Sequence, residues 1–102
     1  MQALIEDLVM IRSFADLETE FVWNREQSRV LPPDIQQRAM RRLSILDVVV
    51  SLAELGSIRG NRLHALVGDR AGQHSISINT QWRICFVWKD GDAYDVEITD
   101  YH

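Results

Sequence analysis

The apolar residues of this chain change period near Gly60, and that change limits the folds open to it. Before Gly60 they recur every three to four positions, as on one face of a helix; after it they alternate, as along a half-buried strand. A helix is expected over residues 15–25, with Leu17 and Phe21 on one face and Trp23 nearby. Pro33 suits the first turn of a second helix because its missing N–H has no partner to lose there, and Asp34 complements the positive end of the dipole. That helix is expected to reach about Val49 on a stripe of Ile35, Ala39, Leu43, Leu46 and Val50, with Arg38, Arg41 and Arg42 largely off the stripe. Ser51 can cap a short turn, SLAEL, ended by Gly56.

Beyond Gly60 strands are expected over 62–67, 73–79, 81–88 and 92–99, and residues 9–14 read as a short first strand. Ile76 and Ile78 alternate with Ser75 and Ser77; Trp82, Ile84, Phe86 and Trp88 with Arg83, Cys85 and Val87; Tyr94, Val96 and Ile98 with Asp95, Glu97 and Thr99. By this parity Trp82, Phe86 and Trp88 belong to the core rather than to a base-stacking surface. Asp90-Gly91 signals a tight hairpin, and Gly68 and Gly72 bracket a loop. The predicted fold class is α+β: N-terminal helices packed on one face of a mostly antiparallel sheet, with the other face polar and open to a ligand.

A chain of 102 residues is enough for one core. No apolar run is long enough to span a bilayer, and the N-terminus lacks the basic and apolar stretches of a signal peptide, so no membrane role and a cytoplasmic location are expected. Cys85 is the single cysteine, which excludes an internal disulfide and fits a reducing compartment. The net charge of −4 argues against nonspecific nucleic-acid binding, but its distribution is uneven. In residues 1–24 Arg12 stands against five carboxylates, and in residues 89–102 Lys89 stands against five more. In residues 25–88 nine arginines face five carboxylates. The middle of the chain can therefore present a basic surface, and arginine's planar fork suits bidentate phosphate contacts.

The titratable candidates are His64, His74 and His102, with Asp100 and Glu97 the carboxylates nearest His102. Cleavage of RNA through its ribose 2′-OH needs a base for the 2′ proton, a cation at the phosphate and an acid for the 5′ oxygen. Imidazole is suited to the proton transfers and arginine to the phosphate. Arg83 projects from the polar parity of its strand, and Asp100-Tyr101-His102 puts a carboxylate, a phenol and an imidazole in succession. Each of these has a plainer reading: Arg83 can pair with Asp95 or Glu97 across the sheet, His64 can be structural, and the last residues can fray. Cys85 has no adjacent base and is read as passive. Three histidines without close ligand spacing make no metal site.

Taken together, MIRSFAD at 10–16, LPPDIQQRAMRRLSILD at 31–47, GNRLHALVGDRAGQHSISIN at 60–79 and QWRICFVWKDGDAYDVEITDYH at 81–102 resemble the HigB-type toxins of the RelE-like superfamily, also called plasmid maintenance killer proteins. The resemblance implies a single toxin domain over residues 10–102, preceded by an extension of residues 1–9. It implies a type II toxin–antitoxin toxin that cuts mRNA on the translating ribosome, with no metal or other cofactor. It also implies a HigA-like helix-turn-helix antitoxin as partner, with operator DNA reached only through that antitoxin. The implied catalytic group is His64, Arg83, Asp100, Tyr101 and His102. Arg83 serves the phosphate, Asp100 and His102 share the roles of base and acid in an unassigned order, and Tyr101 stacks on or orients the RNA. Arg38, Arg41, Arg42, Arg62 and Arg70 are the expected RNA and ribosome contacts. Val67, Ser77 and Val87 stand where relatives often carry a basic residue, which thins the basic face. The alternative expectation is a weakened or non-catalytic toxin fold acting by antitoxin binding and corepression.

Overall fold

The computed structural model describes residues 11–100. Helix α1 spans Leu17–Trp23, where Asp16 caps the start by accepting from the Thr19 N–H at 2.8 Å. Helix α2 spans Pro33–Val48, with Pro33 in its first turn as expected. Helix α3 spans Leu52–Ser57; the Ser51 hydroxyl accepts from the Glu54 N–H, and the Glu54 carboxylate accepts from the Val50 N–H, both at 3.0 Å. The strands are β1 (His64–Ala65), β2 (His74–Ser77), β3 (Arg83–Lys89) and β4 (Asp92–Thr99), with a single 3-10 turn at Gly68–Arg70 between β1 and β2. They form an antiparallel meander in the order β1-β2-β3-β4. The α+β class with helices on one sheet face is the architecture found. Asp90 and Gly91 both have positive φ, the requirement of the two-residue hairpin turn between β3 and β4.

The core lies between α2 and the sheet. Leu43 and Leu46 of α2 and Leu55 of α3 meet Ile76, Ile84, Phe86 and Val96, all fully buried. Residues 11–15 run parallel to β4 without becoming a strand: Arg12 N–H donates to the Ala93 carbonyl and Ala15 N–H to the Val96 carbonyl. The expected strand over 9–14 is thus reduced to two isolated bridges, at Ile11 and Phe14, with residues 9 and 10 outside the described part. The loop between α1 and α2 is pinned by polar groups. Gln36 on α2 accepts from the Ser28 N–H and donates to the Ser28 and Leu31 carbonyls, while the Ser28 hydroxyl donates to Glu18 at 2.6 Å.

Four local expectations are corrected. Leu17 is 65% exposed, and α1 buries Thr19 and Val22 instead, because the Thr19 hydroxyl accepts the buried N–H of Ile98 and so fixes which side of α1 meets β4. Val50 lies beyond the end of α2 and is exposed. Gly56 does not end α3; the helix runs through it to Ser57, and the left-handed turn falls at Gly60. Tyr94 does not share the core parity of Val96 and Ile98. A β-bulge opposite Phe86 puts Asp95 at φ 52, and it shifts the phase of β4 so that Ala93, not Tyr94, faces the core. Ser13 clamps the bulge, its hydroxyl accepting from the Asp95 N–H and its carbonyl from the Val96 N–H.

Candidate active site on the polar sheet face

Directly opposed residues of an antiparallel sheet share a face, so the strand register maps the site. His64, Ser75, Cys85 and Glu97 form one row across β1 to β4, and Ser77, Arg83 and Thr99 form the next. Val87 and Tyr94 form a third row on the same side. The core side carries Ile76, Ile84 and Ile98 in one row and His74 opposite Phe86 in another, the two rings 6.2 Å apart. His74 is thereby separated from the polar face, and His64 is the histidine that joins it.

This face is not the open floor its polar parity suggests. Ser75 and Cys85 are buried and Ser77 is 7% exposed, because long side chains from neighbouring positions lie across them. Arg83 is one of these. Its Nε donates to the Ser75 hydroxyl at 2.8 Å and its Nη2 to the Arg62 carbonyl at 2.7 Å, so the guanidinium is drawn from β3 across β2 to the segment that enters β1. Among the described residues it forms no ion pair with Asp95 or Glu97. Arg62 adopts φ 48, which turns this segment as it enters β1; His64 follows two residues later and is exposed. Arg70 covers the other side of the row, bonded to Glu97 at 3.1 Å and to Gln73 at 3.0 Å. Burial pushes the Cys85 thiol up to about 11; Arg70 lowers it, Glu97 raises it and Arg83 lowers it, each by less. The thiol is protonated near neutral pH and is no nucleophile there.

Asp100 follows Thr99, the residue paired with Arg83, so it stands at the same end of the sheet. It is exposed and accepts from Gln81 Nε2 at 2.8 Å. Tyr101 and His102 lie outside the described residues. The structure therefore puts His64 and Arg83 on one face, with Asp100 at the end of the sheet where Arg83 lies. It divides the expected arginine contacts. Arg38 and Arg62 line one groove beside Ser77. Arg42 is engaged internally, donating to the Asn61 side chain at 2.7 Å. Arg70 is held by Glu97. Arg41 lines a separate groove with Arg25 and Met40. Of the three thinned positions, Val67 is 85% exposed and Val87 half-buried, but Ser77 is buried and donates to the Asn79 carbonyl at 2.8 Å. Residue parity alone marked Ser75 as one of many polar strand residues. Its role under Arg83 depends on the β2–β3 register, and that of Glu97 depends on the bulge.

No helix among the described residues is long and apolar enough to cross a membrane. The model of the HigB-like toxin family, described as the RelE-like toxin of the type II toxin–antitoxin system HigB, matches residues 12–102. The chain is similar to Endoribonuclease HigB of Proteus vulgaris, 33% identical over 93 residues that make up 91% of this chain and all of that protein. It is similar also to Toxin HigB-1 of Vibrio cholerae, 35% identical over 74 residues, 72% of this chain and 78% of that one. A meander that turns its polar face outward under helices that cover the other side, matched by the family model over nearly its whole length, establishes that the chain belongs to the HigB-like family of RelE-like toxins of type II toxin–antitoxin systems.

Proposed function

We propose that this protein is an endoribonuclease that cuts mRNA on translating ribosomes, without a metal, at the polar sheet face. The observation that carries the reading is the tethered guanidinium of Arg83. It is a fixed cation on the face shared with His64, at the sheet end where Asp100 stands, in a chain alignable over its relative's full length with a protein named an endoribonuclease. The chemistry is transesterification. A base takes the proton of the ribose 2′-OH, the 2′ oxygen bonds to phosphorus, the P–O5′ bond breaks, and an acid protonates the departing 5′ oxygen. The products are a 5′-hydroxyl and a 2′,3′-cyclic phosphate, which hydrolyses to a 3′-phosphate. Arg83 stabilises the charge that grows on the phosphoryl oxygens, and a donor fixed beforehand pays no reorganisation as that charge develops. Asp100 and His102 serve as base and acid, His64 assists at the β1 side, and Tyr101 orients the RNA. Arg38, Arg41, Arg42, Arg62 and Arg70 contact RNA or ribosome.

The site is neutralised by a HigA-like helix-turn-helix antitoxin, through which alone operator DNA is reached, and the pair acts in the cytoplasm. Residues 10–102 form the toxin domain, with residues 1–9 an extension. Primer extension on a translated message in a reconstituted system tests the activity: new cuts with the protein are expected only when ribosomes translate, and equal cutting of naked RNA would refute ribosome dependence. A second reading, a non-catalytic toxin fold acting by antitoxin binding and corepression, is favoured by one feature. Glu97 engages Arg70 in the middle of the polar face and so reduces the positive field there. Under it, Arg83→Ala would leave growth on expression unchanged, whereas the nuclease reading expects relief of toxicity.

A further inference from the structure

The groove beside Arg83 differs from the one lined by Arg25 and Arg41 in carrying Asn79 and Thr80 where that one carries Met40 and Ile45. Its volume is about 420 Å³, within the range of small-ligand sites. It runs between α2, which contributes Arg38, and the β2–β3 connection, which contributes Asn79 and Thr80, with Arg62 on its rim. Among the described residues no carboxylate lines it. Arg12 is paired with Asp92, Arg70 with Glu97 and Arg42 with Asn61, but the guanidiniums of Arg38 and Arg62 have no partner among the described residues. The Asn79 side-chain oxygen is already used, accepting from the Gln81 and Trp82 N–H groups at 2.8 and 2.7 Å. What Asn79 has left is its amide N–H pair. The polar side chains that line the groove are therefore rich in donors: two guanidiniums, an amide and the Thr80 hydroxyl, beside Ser77 and the apolar Ile78. It is continuous with the reactive face through Ser77, the strand partner of Arg83, and through Arg62, whose carbonyl holds Arg83.

We infer that this groove is a phosphodiester subsite, which grips the RNA backbone one step away from the phosphate that Arg83 serves. The inference rests on the nuclease reading above and deepens it. Two arginines that line one groove and are unpaired among the described residues, with a hydroxyl and an amide beside them, match an anion with several acceptor oxygens. The backbone, not a base edge, is the ligand chemistry, because the groove offers donors without an aromatic platform for stacking. The phosphodiester belongs either to the message or to ribosomal RNA.

The test measures affinity for ribosomes at 50 to 200 mM potassium chloride. One arm uses ribosomes programmed with a message carrying a 2′-deoxynucleotide at the cleavage position, and the other uses vacant ribosomes. The variants are Arg38→Gln, Arg62→Asn and the two together. Asparagine is chosen at position 62 because it tolerates the left-handed backbone there and so preserves the carbonyl that holds Arg83. Each lost phosphate contact should lower the slope of log K against log salt by about 0.7 to 0.9, so the double variant should lose roughly seven- to twelvefold of the salt sensitivity between those concentrations. Arg29→Gln, which removes an exposed charge outside the groove, should leave the slope unchanged. A reduced slope on programmed ribosomes only assigns the phosphodiester to the message, and an equal reduction on vacant ribosomes assigns it to ribosomal RNA; either supports the subsite. A wild-type slope in the double variant, or an equal fall with Arg29→Gln, overturns the subsite while leaving the nuclease intact. A wild-type protein that neither binds ribosomes nor cuts RNA overturns both.

Discussion

Replacing Ser75 with alanine isolates the anchoring of Arg83. The substitution removes one buried oxygen that accepts the Arg83 Nε at 2.8 Å and leaves the second tether, the Arg62 carbonyl at 2.7 Å, in place. A hydrogen bond to a charged group contributes about 1.5–3 kcal/mol net. Arg83 is only half-buried, so water can partly re-solvate its Nε, and the lower end, about 1.5 kcal/mol, is expected. For a domain of this size that is a fall in Tm of roughly 6–12 °C. The effect on cleavage is separate. A guanidinium held at one point instead of two loses its aim at the phosphate, and misplacement of this kind can cost up to about a hundredfold. We expect a fall of about tenfold in single-turnover cleavage well below both melting temperatures, against a larger fall for Arg83→Ala. Thermal melting and cleavage of a translated message on the same preparations give both numbers. A lowered Tm with unchanged cleavage would make the tether structural only. If neither quantity changed, the reasoning that Ser75 positions Arg83 would be refuted.

Other outcomes follow from the same geometry. Cys85 should resist alkylation at pH 8, since a thiol pushed from 9.0 to about 11 is about a hundredfold less ionised there and is buried besides. Modification at the rate of a free thiol in the folded protein would contradict this. The same shift has a signed consequence for stability. Below pH 9 folded and unfolded chains both hold the proton. Between pH 9 and 11 only the folded chain keeps it, so stability falls as pH rises, by at most about 2–3 kcal/mol from this group. Denaturant titrations should show that alkaline loss diminished in Cys85→Ala. Thr19→Val keeps the shape of a fully buried side chain but leaves the buried Ile98 N–H without its acceptor, and should cost about 1–3 kcal/mol in a urea titration. Val67→Lys should leave Tm within about 2 °C of wild type, because Val67 is almost fully exposed, whereas Ser77→Arg should lower it well beyond that, because it must displace a buried hydroxyl bonded to Asn79. Equal melting temperatures for the two would show that position 77 accommodates a long cation.

The fold class, the order of elements and the residues to watch are legible in local patterns of the chain. Those depend on periods of 3.6 and 2, on proline and capping serine, and on an Asp-Gly turn, all of which act within a few residues of the chain. Ile76, Ile84 and Phe86 are in the core because alternation in a strand leaves them no other face, and His64 and Arg83 share the opposite face for the same reason. How that face is furnished is set instead by contacts between distant parts of the chain. The bulge at Asp95 depends on Ser13, more than eighty residues away, and it moved Tyr94 out of the core parity and set Glu97 in the row of Cys85. Which partner an arginine takes is likewise a matter of long-range contact: Arg70 meets Glu97, Arg42 meets Asn61, and Arg38, Arg41 and Arg62 meet none among the described residues, although all five expected arginines look alike in the sequence. A side chain as long as arginine can reach across two strands, so its role is settled by what the fold brings within that reach rather than by its own position in the chain.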